Sequence, residues 1–274
     1  MNRPIRQGRF PLPLARLRDA AGHAPRALLR PQRPLEQAAQ DAARRDVPSG
    51  LGLDSPAVRA RMIQRLRAEG IADESLLAAF AAVERHRFVD PALANQAYED
   101  TSLPIGYGQT ISKPSVVARM LALALDGEFA RHHGQLGRVL EIGTGCGYQT
   151  ALLLQLARSV VSVERLRPLA ERARQHLTAQ AAPRSTLRPH LLHGDGRLGH
   201  APRAPYDTIV AAAGGAQLPP AWLDQLAVGG RLVAPAHDAR QGGQRLVVVD
   251  RKATGLLRRE FDVVHFVPLK SGVE

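Results

Sequence analysis

The segment Leu140-Glu141-Ile142-Gly143-Thr144-Gly145-Cys146-Gly147-Tyr148 carries the clearest structural signal in this chain. The apolar run 138–142 predicts a buried strand, and the run 149–157 that follows the glycines predicts a helix. Glycines at alternate positions let the backbone turn sharply and let a ligand approach where a Cβ would block it. A strand, a glycine-rich turn and a helix in this order predict a ligand site beside the end of the strand.

A second predicted strand, 159–163, is followed by Glu164. A carboxylate on this neighbouring strand tip can accept hydrogen bonds from both hydroxyls of a ribose. Glu141 places another negative charge just before the glycine turn, where it would repel a phosphate and attract a cation. The spacing of Gly143, Gly145 and Gly147 also differs from the dinucleotide fingerprint G-x-G-x-x-G. These features together indicate S-adenosylmethionine, a nucleoside with an ammonium and a sulfonium group but no phosphate.

The composition is that of a globular α/β protein with a strong positive charge. The chain has 274 residues, 45% of them hydrophobic, and a formal net charge of +12. This is enough for one large domain with additions. A basic chain can bind nucleic acid, but no basic patch here is interleaved with aromatic residues. We therefore interpret the charge as solvated arginine and do not expect a nucleic-acid partner.

The single cysteine, Cys146, excludes an intramolecular disulfide and a cysteine-rich metal site. It fits a reducing compartment, and no apolar run approaches the ~18 residues of a membrane helix. The beginning of the chain also has no apolar core of a secretory signal, so we expect a cytoplasmic protein with no membrane partner. No grouping of histidines and carboxylates is typical of a metal site, and Cys146 has no partner base that would make it a nucleophile.

Residues 1–54 differ from the rest of the chain. They are rich in Arg, Pro, Ala and Gln and poor in large apolar residues, which predicts a disordered tail with one short helix at 35–45. The remainder, 55–274, is predicted to form the folded domain, and its N-terminal helices occupy 55–125. A helix is expected to begin at Pro56, another after a cap at Asp73, and residues 100–113 are expected to form a long ordered loop.

From residue 138 onward, predicted strands and helices alternate, which favours a doubly wound, mostly parallel sheet covered on both faces. The fold class is therefore α/β and Rossmann-like, with an N-terminal helical addition. The last two strands have no helix between them and predict an antiparallel edge strand. The predicted strands are 138–142, 159–163, 187–192, 207–211, 230–234, 244–250 and 260–267, and the predicted helices are 147–157, 166–178 and 219–226.

The end of the third strand carries Asp195 and Gly196. Asp195 can accept a hydrogen bond from an adenine amino group, and Gly196 can give the ring clearance. Taken alone, these residues are also typical of a tight turn. Because ligands bind at the carboxyl ends of the strands in open α/β sheets, we expect them beside the glycine turn and Glu164.

Methyl transfer from a sulfonium is an in-line displacement in which the protein mainly aligns the reacting atoms. A carboxylate acceptor, with a pKa of ~4, is already ionised at neutral pH and needs no general base. An amino group of adenine would require an Asn/Asp-Pro-Pro-aromatic loop after the fourth strand, where the chain has Val210-Ala211-Ala212-Ala213-Gly214. A catechol would require a metal held by carboxylates.

The sequence resembles the protein-L-isoaspartate O-methyltransferase family from about Val58 to Lys270. The most specific element is a loop that precedes the glycine turn, Gly108-Gln109-Thr110-Ile111-Ser112-Lys113-Pro114. The other segments that carry the resemblance are Val83 to Val89, Ala97 to Asp100, Leu103 to Tyr107, Leu140 to Tyr148, Gly194 to Gly196, Ala204 to Asp207, Gly229 to Leu232 and Phe266 to Leu269.

This resemblance implies methyl transfer from S-adenosylmethionine to the free carboxylate of L-isoaspartyl residues in damaged proteins. The ester then closes to a succinimide, whose hydrolysis returns some normal aspartate. Ser112 would be the catalytic residue, and the enzyme would act as a monomer. The residues implied to bind the cofactor are Gln109, Thr110 and Ile111 in the covering loop and Glu141, Gly143, Gly145, Glu164, Asp195 and Gly196 on the strand tips. Read without the family, Ser112 before Pro114 is typical of a helix N-cap.

The chain departs from the family pattern at three places. Glu84 stands where the family usually has proline, Ala211 replaces a common threonine, and the first ~55 residues have no counterpart in compact members. Two alternatives stay open at the level of the sequence. One is a methyltransferase for another acceptor, and the other is a binding module in which the basic tail matters and the domain only holds a nucleoside.

Overall fold

The structure is a computed structural model, and it describes residues 56–179, 188–237 and 242–274. The predicted tail 1–54 and its short helix at 35–45 lie outside the described residues. No described helix combines the length and the apolar character that crossing a membrane would need.

The described chain begins with helices that pack beside the later sheet. Asp73 accepts a hydrogen bond from the backbone N–H of Leu76 and caps the second helix, as predicted. A third helix begins at Pro114 and buries most of its apolar residues. The helices are α1 (Pro56–Ala68), α2 (Glu74–Ala82), α3 (Pro114–Leu125) and α4 (Glu128–His133), with 3₁₀ turns at Arg85–Phe88 and Pro91–Gln96.

A small hairpin lies between these helices, in the segment predicted to be a loop. Strands β1 (Leu103–Gly106) and β2 (Gln109–Ile111) pair antiparallel. Each has four residues or fewer, which is too short for an alternating pattern to reveal a strand in the sequence.

The rest of the chain forms one seven-stranded sheet with helices between its strands. Its strands are β3 (Arg138–Ile142), β4 (Ser159–Glu164), β5 (His190–His193), β6 (Tyr206–Ala211), β7 (Leu226–His237), β8 (Gln244–Lys252) and β9 (Gly255–Val264). The intervening helices are α5 (Tyr148–Leu156), α6 (Arg167–Ala179) and α7 (Pro220–Asp224). These elements confirm the predicted alternation, although β9 begins and ends earlier than the predicted strand 260–267.

The strand order is β5-β4-β3-β6-β7-β8-β9. The first five strands in this order are parallel, and β8 and β9 are antiparallel to their neighbours. The chain runs outward from β3 to β5 on one side and returns to β6 on the other, so the strand order reverses between β3 and β6. In open α/β sheets this reversal leaves a crevice at the carboxyl ends of the strands.

Both faces of the sheet are buried. Val139 and Leu140 are adjacent in β3, yet they belong to two separate hydrophobic clusters. Val247 and Val248 of β8 divide in the same way. Successive residues of a strand point to opposite faces, so the sheet is covered on both sides, as its continuous apolar strands predicted.

Candidate functional site

A pocket opens at the carboxyl ends of the central strands. Its empty space is about 890 Å³, counting space open to solvent. The predicted site residues that line it are Gln109, Thr110, Ile111, Ser112, Gly143, Gly145, Glu164 and Gly196. Apolar residues such as Ile142, Val163 and Leu166 form much of the remaining wall. Two predicted site residues, Glu141 and Asp195, lie outside this lining.

The glycine turn forms the floor of the pocket. Gly143, Gly145 and Gly147 have φ angles of 87°, 56° and 92°, a region that other residues rarely adopt. A Cβ on Gly145 would also come within 3.3 Å of Cδ1 of Ile105 in the hairpin. The turn therefore requires glycine for its backbone conformation and for the approach of the segment above it.

Glu164 lies at the end of β4 and holds the glycine turn in place. One carboxylate oxygen accepts the backbone N–H of Gly145 at 2.9 Å, and the other accepts the N–H of Leu166 at 3.0 Å. The residue is only 5% exposed but lines the pocket. Each carboxylate oxygen has a further lone pair, so Glu164 can accept the hydroxyls of a bound ribose without breaking either contact.

Glu141 requires a correction, because it does not line the pocket. It is fully buried and accepts hydrogen bonds from Gln149 (3.1 Å), Thr150 and Ser162 (2.6 Å). Burial raises the pKa of Glu141 to about 7, although these three donors oppose the rise. The predicted contact of a charged Glu141 with a cofactor is therefore replaced by a supporting role, in which the residue joins β3 to α5 and β4 beneath the turn.

Gly196 and Asp195 both follow β5, but only Gly196 lines the pocket. Gly196 lines the pocket, and a Cβ there would lie 2.6 Å from Cγ2 of Ile142, so close packing explains the glycine. Asp195 lies beside the pocket, and its two oxygens accept the backbone N–H groups of Arg197 (2.9 Å) and Gly272 (2.7 Å). An adenine amino group would have to share these oxygens with the two backbone donors.

The hairpin β1–β2 supplies the opposite side of the pocket. Its turn holds Tyr107 at a φ of 55°, between two glycines that also have positive φ. Arg172 of α6 donates to the carbonyl of Ile105 at 2.6 Å and fixes the hairpin over the sheet. Because β2 runs into Ser112, this anchor also sets where the predicted catalytic loop begins.

The hydroxyl of Ser112 has no hydrogen-bond partner among the described residues, although the residue is half-buried and lines the pocket. The alternative interpretation of Ser112 as an N-cap is wrong, because the cap position of α3 is Lys113. Asp100 takes the capping role: its carboxylate accepts the N–H (2.8 Å) and the hydroxyl (2.7 Å) of Ser115. The Ser112 hydroxyl is therefore available to a ligand.

Residues near the end of the chain also line the pocket, and their chemistry did not mark them as candidates in the sequence. Val267, Pro268, Leu269 and Lys270 form part of the wall. The backbone of Gly214, after β6, bonds to the carbonyl of Val267 and to the N–H of Leu269. The family resemblance was the one signal for this segment, because it included Phe266 to Leu269. The position of the segment at the site depends on its pairing with a distant strand end.

Cys146 lines the pocket but is not a reactive thiol. It is buried, and burial raises its pKa to about 11. A thiol with this pKa is protonated at neutral pH and is a poor nucleophile. The interpretation of Cys146 as a small residue that fits the turn agrees with this environment.

Comparisons with known proteins agree with this geometry. The family model "Protein-L-isoaspartate(D-aspartate) O-methyltransferase" matches residues 57–274. A protein-L-isoaspartate O-methyltransferase of Methylibium petroleiphilum is 60% identical over 267 residues, which are 97% of each chain.

Two solved structures share the fold. A structure of a protein-L-isoaspartate O-methyltransferase has a TM-score of 0.66 at 25% identity and covers 78% of this chain and 67% of its own. A candidate β-aspartate methyltransferase of Plasmodium falciparum, solved in complex with S-adenosyl-L-homocysteine, has a TM-score of 0.64 at 21% identity. It covers 77% of this chain and 98% of its own. At this identity the second similarity concerns the fold alone.

Proposed function

The chain belongs to the protein-L-isoaspartate(D-aspartate) O-methyltransferase family, and we propose that its pocket is where the methyl group is transferred. The activity is methylation of the free carboxylate of L-isoaspartyl residues in damaged proteins. S-adenosylmethionine supplies a methyl group that its positive sulfur already activates for displacement. The observation that carries the proposal is the hydroxyl of Ser112, which has no partner among the residues that the structure describes and lies in the same pocket as the glycine turn and Glu164.

The sheet side of the pocket fits the cofactor. Glu164 offers acceptors for the ribose, Gly143 and Gly145 leave room beside it, and Ile142 and Val163 provide apolar wall. This combination of acceptors and apolar wall suits a nucleoside. The remaining contacts proposed for the cofactor come from Gln109, Thr110 and Ile111 in strand β2, from Gly196, and from the oxygens of Asp195.

The cover side of the pocket, which the hairpin β1–β2 and Ser112 form, fits the acceptor. A carboxylate is ionised at neutral pH and has two equivalent oxygens. The hydroxyl of Ser112 donates to one oxygen and leaves the other directed toward the methyl group. No proton has to be removed from the acceptor, so the site works by alignment, which is the main requirement of an in-line displacement.

A paired peptide assay tests this function. One peptide contains an L-isoaspartyl residue and its twin contains a normal aspartyl residue at the same position, and both are incubated with labelled methyl donor. We expect label in the isoaspartyl peptide only. Equal labelling of both peptides, or none in either, would favour a methyltransferase for another acceptor.

We further infer that the enzyme acts as a cytoplasmic monomer without a nucleic-acid partner. The buried free thiol of Cys146 fits a reducing compartment. Removal of residues 1–54 tests the alternative in which the basic tail matters. Methyl transfer that persists in the truncated chain supports the proposal, and nucleic-acid binding that disappears with the tail would contradict it.

A further inference from the structure

Arg85 is a buried cation that the proposed chemistry does not use. Its side chain is 0% exposed and forms no ion pair with a described carboxylate. Burial lowers the pKa of its guanidinium, but arginine stays charged in proteins. A charge in this environment is costly unless hydrogen bonds stabilise it, so its contacts indicate its role.

The guanidinium bonds to backbone carbonyls from three separate segments. Nε donates to Ala97 at 2.7 Å, and Nη2 donates to Thr101 at 3.4 Å and to Ser112 at 2.8 Å. The bond to Ser112 joins residues that are 27 positions apart in the chain. It falls on the same residue whose hydroxyl is free in the pocket.

The guanidinium also rests on the cofactor side of the site. Its central carbon lies 4.8 Å from the centre of the Tyr148 ring, a favourable cation–π distance. Tyr148 begins α5 directly after the glycine turn and lines the pocket. The third nitrogen, Nη1, has no hydrogen-bond partner in the described part of the chain, where the three carbonyls and this ring hold the side chain.

We infer that Arg85 is a positioning residue for methyl transfer. It joins the backbone of Ser112 to the glycine-turn side of the pocket, and so sets the distance between the serine hydroxyl and the methyl donor. A displacement of about 1 Å in such a site can cost about 100-fold in rate. The inference rests on the proposed role of Ser112.

A double-mutant cycle tests the inference in the full chain. The variants are Arg85→Lys, Ser112→Ala and their combination, assayed for kcat with an isoaspartyl peptide. A lysine cannot bond to all three carbonyls in the fork geometry of arginine. We expect Arg85→Lys to lower kcat about tenfold and to lower it no further once Ser112 is alanine, because residues that act through one another are not additive. Affinity for S-adenosylhomocysteine should stay within about twofold.

Arg231→Lys is the matched control. Arg231 is also a buried arginine, paired with Asp250 and bonded to the carbonyl of Leu123, but it does not line the pocket. We expect this variant to lower thermal stability and to leave kcat unchanged. An equal loss of kcat in Arg231→Lys would attribute the effect of Arg85 to general destabilisation and overturn the inference.

A second pair of variants serves if Arg85→Lys does not fold. Tyr148→Leu removes the ring beneath the guanidinium, and Tyr148→Phe keeps it. We expect a lower kcat in Tyr148→Leu than in Tyr148→Phe, and we expect the difference to vanish when Ser112 is alanine.

The outcomes separate this inference from the proposed function. An Arg85 effect that is fully additive with Ser112→Ala, or no effect on kcat, would overturn the inference alone. An unchanged kcat in Ser112→Ala would remove the proposed role of Ser112 and the inference with it.

Discussion

The two sides of the pocket differ in how far their polar groups are already committed. On the sheet side, the carboxylates are bonded within the protein: Glu164 in the pocket wall holds Gly145 and Leu166, and Glu141 beneath the turn is enclosed by three donors. On the cover side, the hydroxyl of Ser112 has no partner among the described residues. The sheet side is therefore a preorganised surface, whereas the cover side offers a group that a ligand must complete.

This difference suggests that the two sides of the pocket serve different ligands. A cofactor of fixed shape suits a rigid surface, because little reorganisation is needed when it binds. The acceptor is a damaged residue within varied polypeptides, and a free hydroxyl can orient any carboxylate that reaches it. Substitutions on the sheet side should change stability and cofactor affinity, and substitution of Ser112 should change turnover.

Of the substitutions considered, Glu141→Gln should have the largest effect, and the effect should appear in how the free energy of unfolding depends on pH. Because the folded-state pKa of Glu141 is raised from 4.5 to about 7, its contribution to stability is present below pH 4.5 and lost as the pH rises through 7. Glutamine does not titrate, so the stability of the variant relative to the parent should rise by about 3 kcal/mol across this range. Urea unfolding at several pH values measures the difference. A difference that does not change with pH would show that the carboxyl group titrates alike in the folded and unfolded chains.

Glu164→Ala should weaken cofactor binding by about 1.5–3 kcal/mol, the value of a charge-assisted hydrogen bond. Glu164→Asp should weaken it less, since a carboxylate remains. Titration calorimetry with S-adenosylhomocysteine measures both affinities. Glu171→Ala, at an exposed position of α6, is the control and should bind as the parent does. Similar affinities in the alanine and aspartate variants would move the ribose site away from Glu164.

Ser112→Ala should lower kcat about tenfold and change cofactor affinity by less than about twofold, because it removes one hydrogen bond to the acceptor. Steady-state kinetics with an isoaspartyl peptide measures kcat. Ser115→Ala is the matched control, since that hydroxyl bonds to Asp100 and does not line the pocket. It should lower thermal stability and leave kcat unchanged. An equal loss of kcat in both variants would implicate the start of α3 and not the Ser112 hydroxyl.

Cys146→Ala should give the smallest effect. The thiol has a pKa of about 11 and is protonated at neutral pH, so we expect kcat within about twofold of the parent. The same peptide assay and a thermal unfolding curve check this. A loss of kcat without a loss of stability would mean that the thiol takes part in the reaction.

The sheet side of the pocket was largely predictable from the sequence. The apolar runs around Leu140 and Val161 give buried strands, and the spacing of Gly143, Gly145 and Gly147 gives the turn between strand and helix. These signals are local, because a strand's burial and a glycine's backbone conformation depend on near neighbours. The position of Glu164 beside the turn follows from the parallel pairing of consecutive strands.

The cover side was less predictable. The hairpin 103–111 was taken for a loop, and Ser112 was open to interpretation as a cap. Both depend on contacts with distant residues: Arg172 fixes Ile105 across 67 positions, and Asp100 caps α3 in place of Ser112. Short strands and caps supplied from outside the helix leave little trace in a local pattern.

The local pattern of residues was enough to predict the α/β alternation, the glycine turn and the residue types that meet at the strand tips. The state of those residues depends on the folded chain: Glu141 is buried outside the pocket lining with a raised pKa, Glu164 holds the turn, and the Ser112 hydroxyl has no partner among the described residues. A side chain's protonation and hydrogen bonding depend on the donors, charges and burial around it. Folding brings these neighbours together from separate parts of the chain.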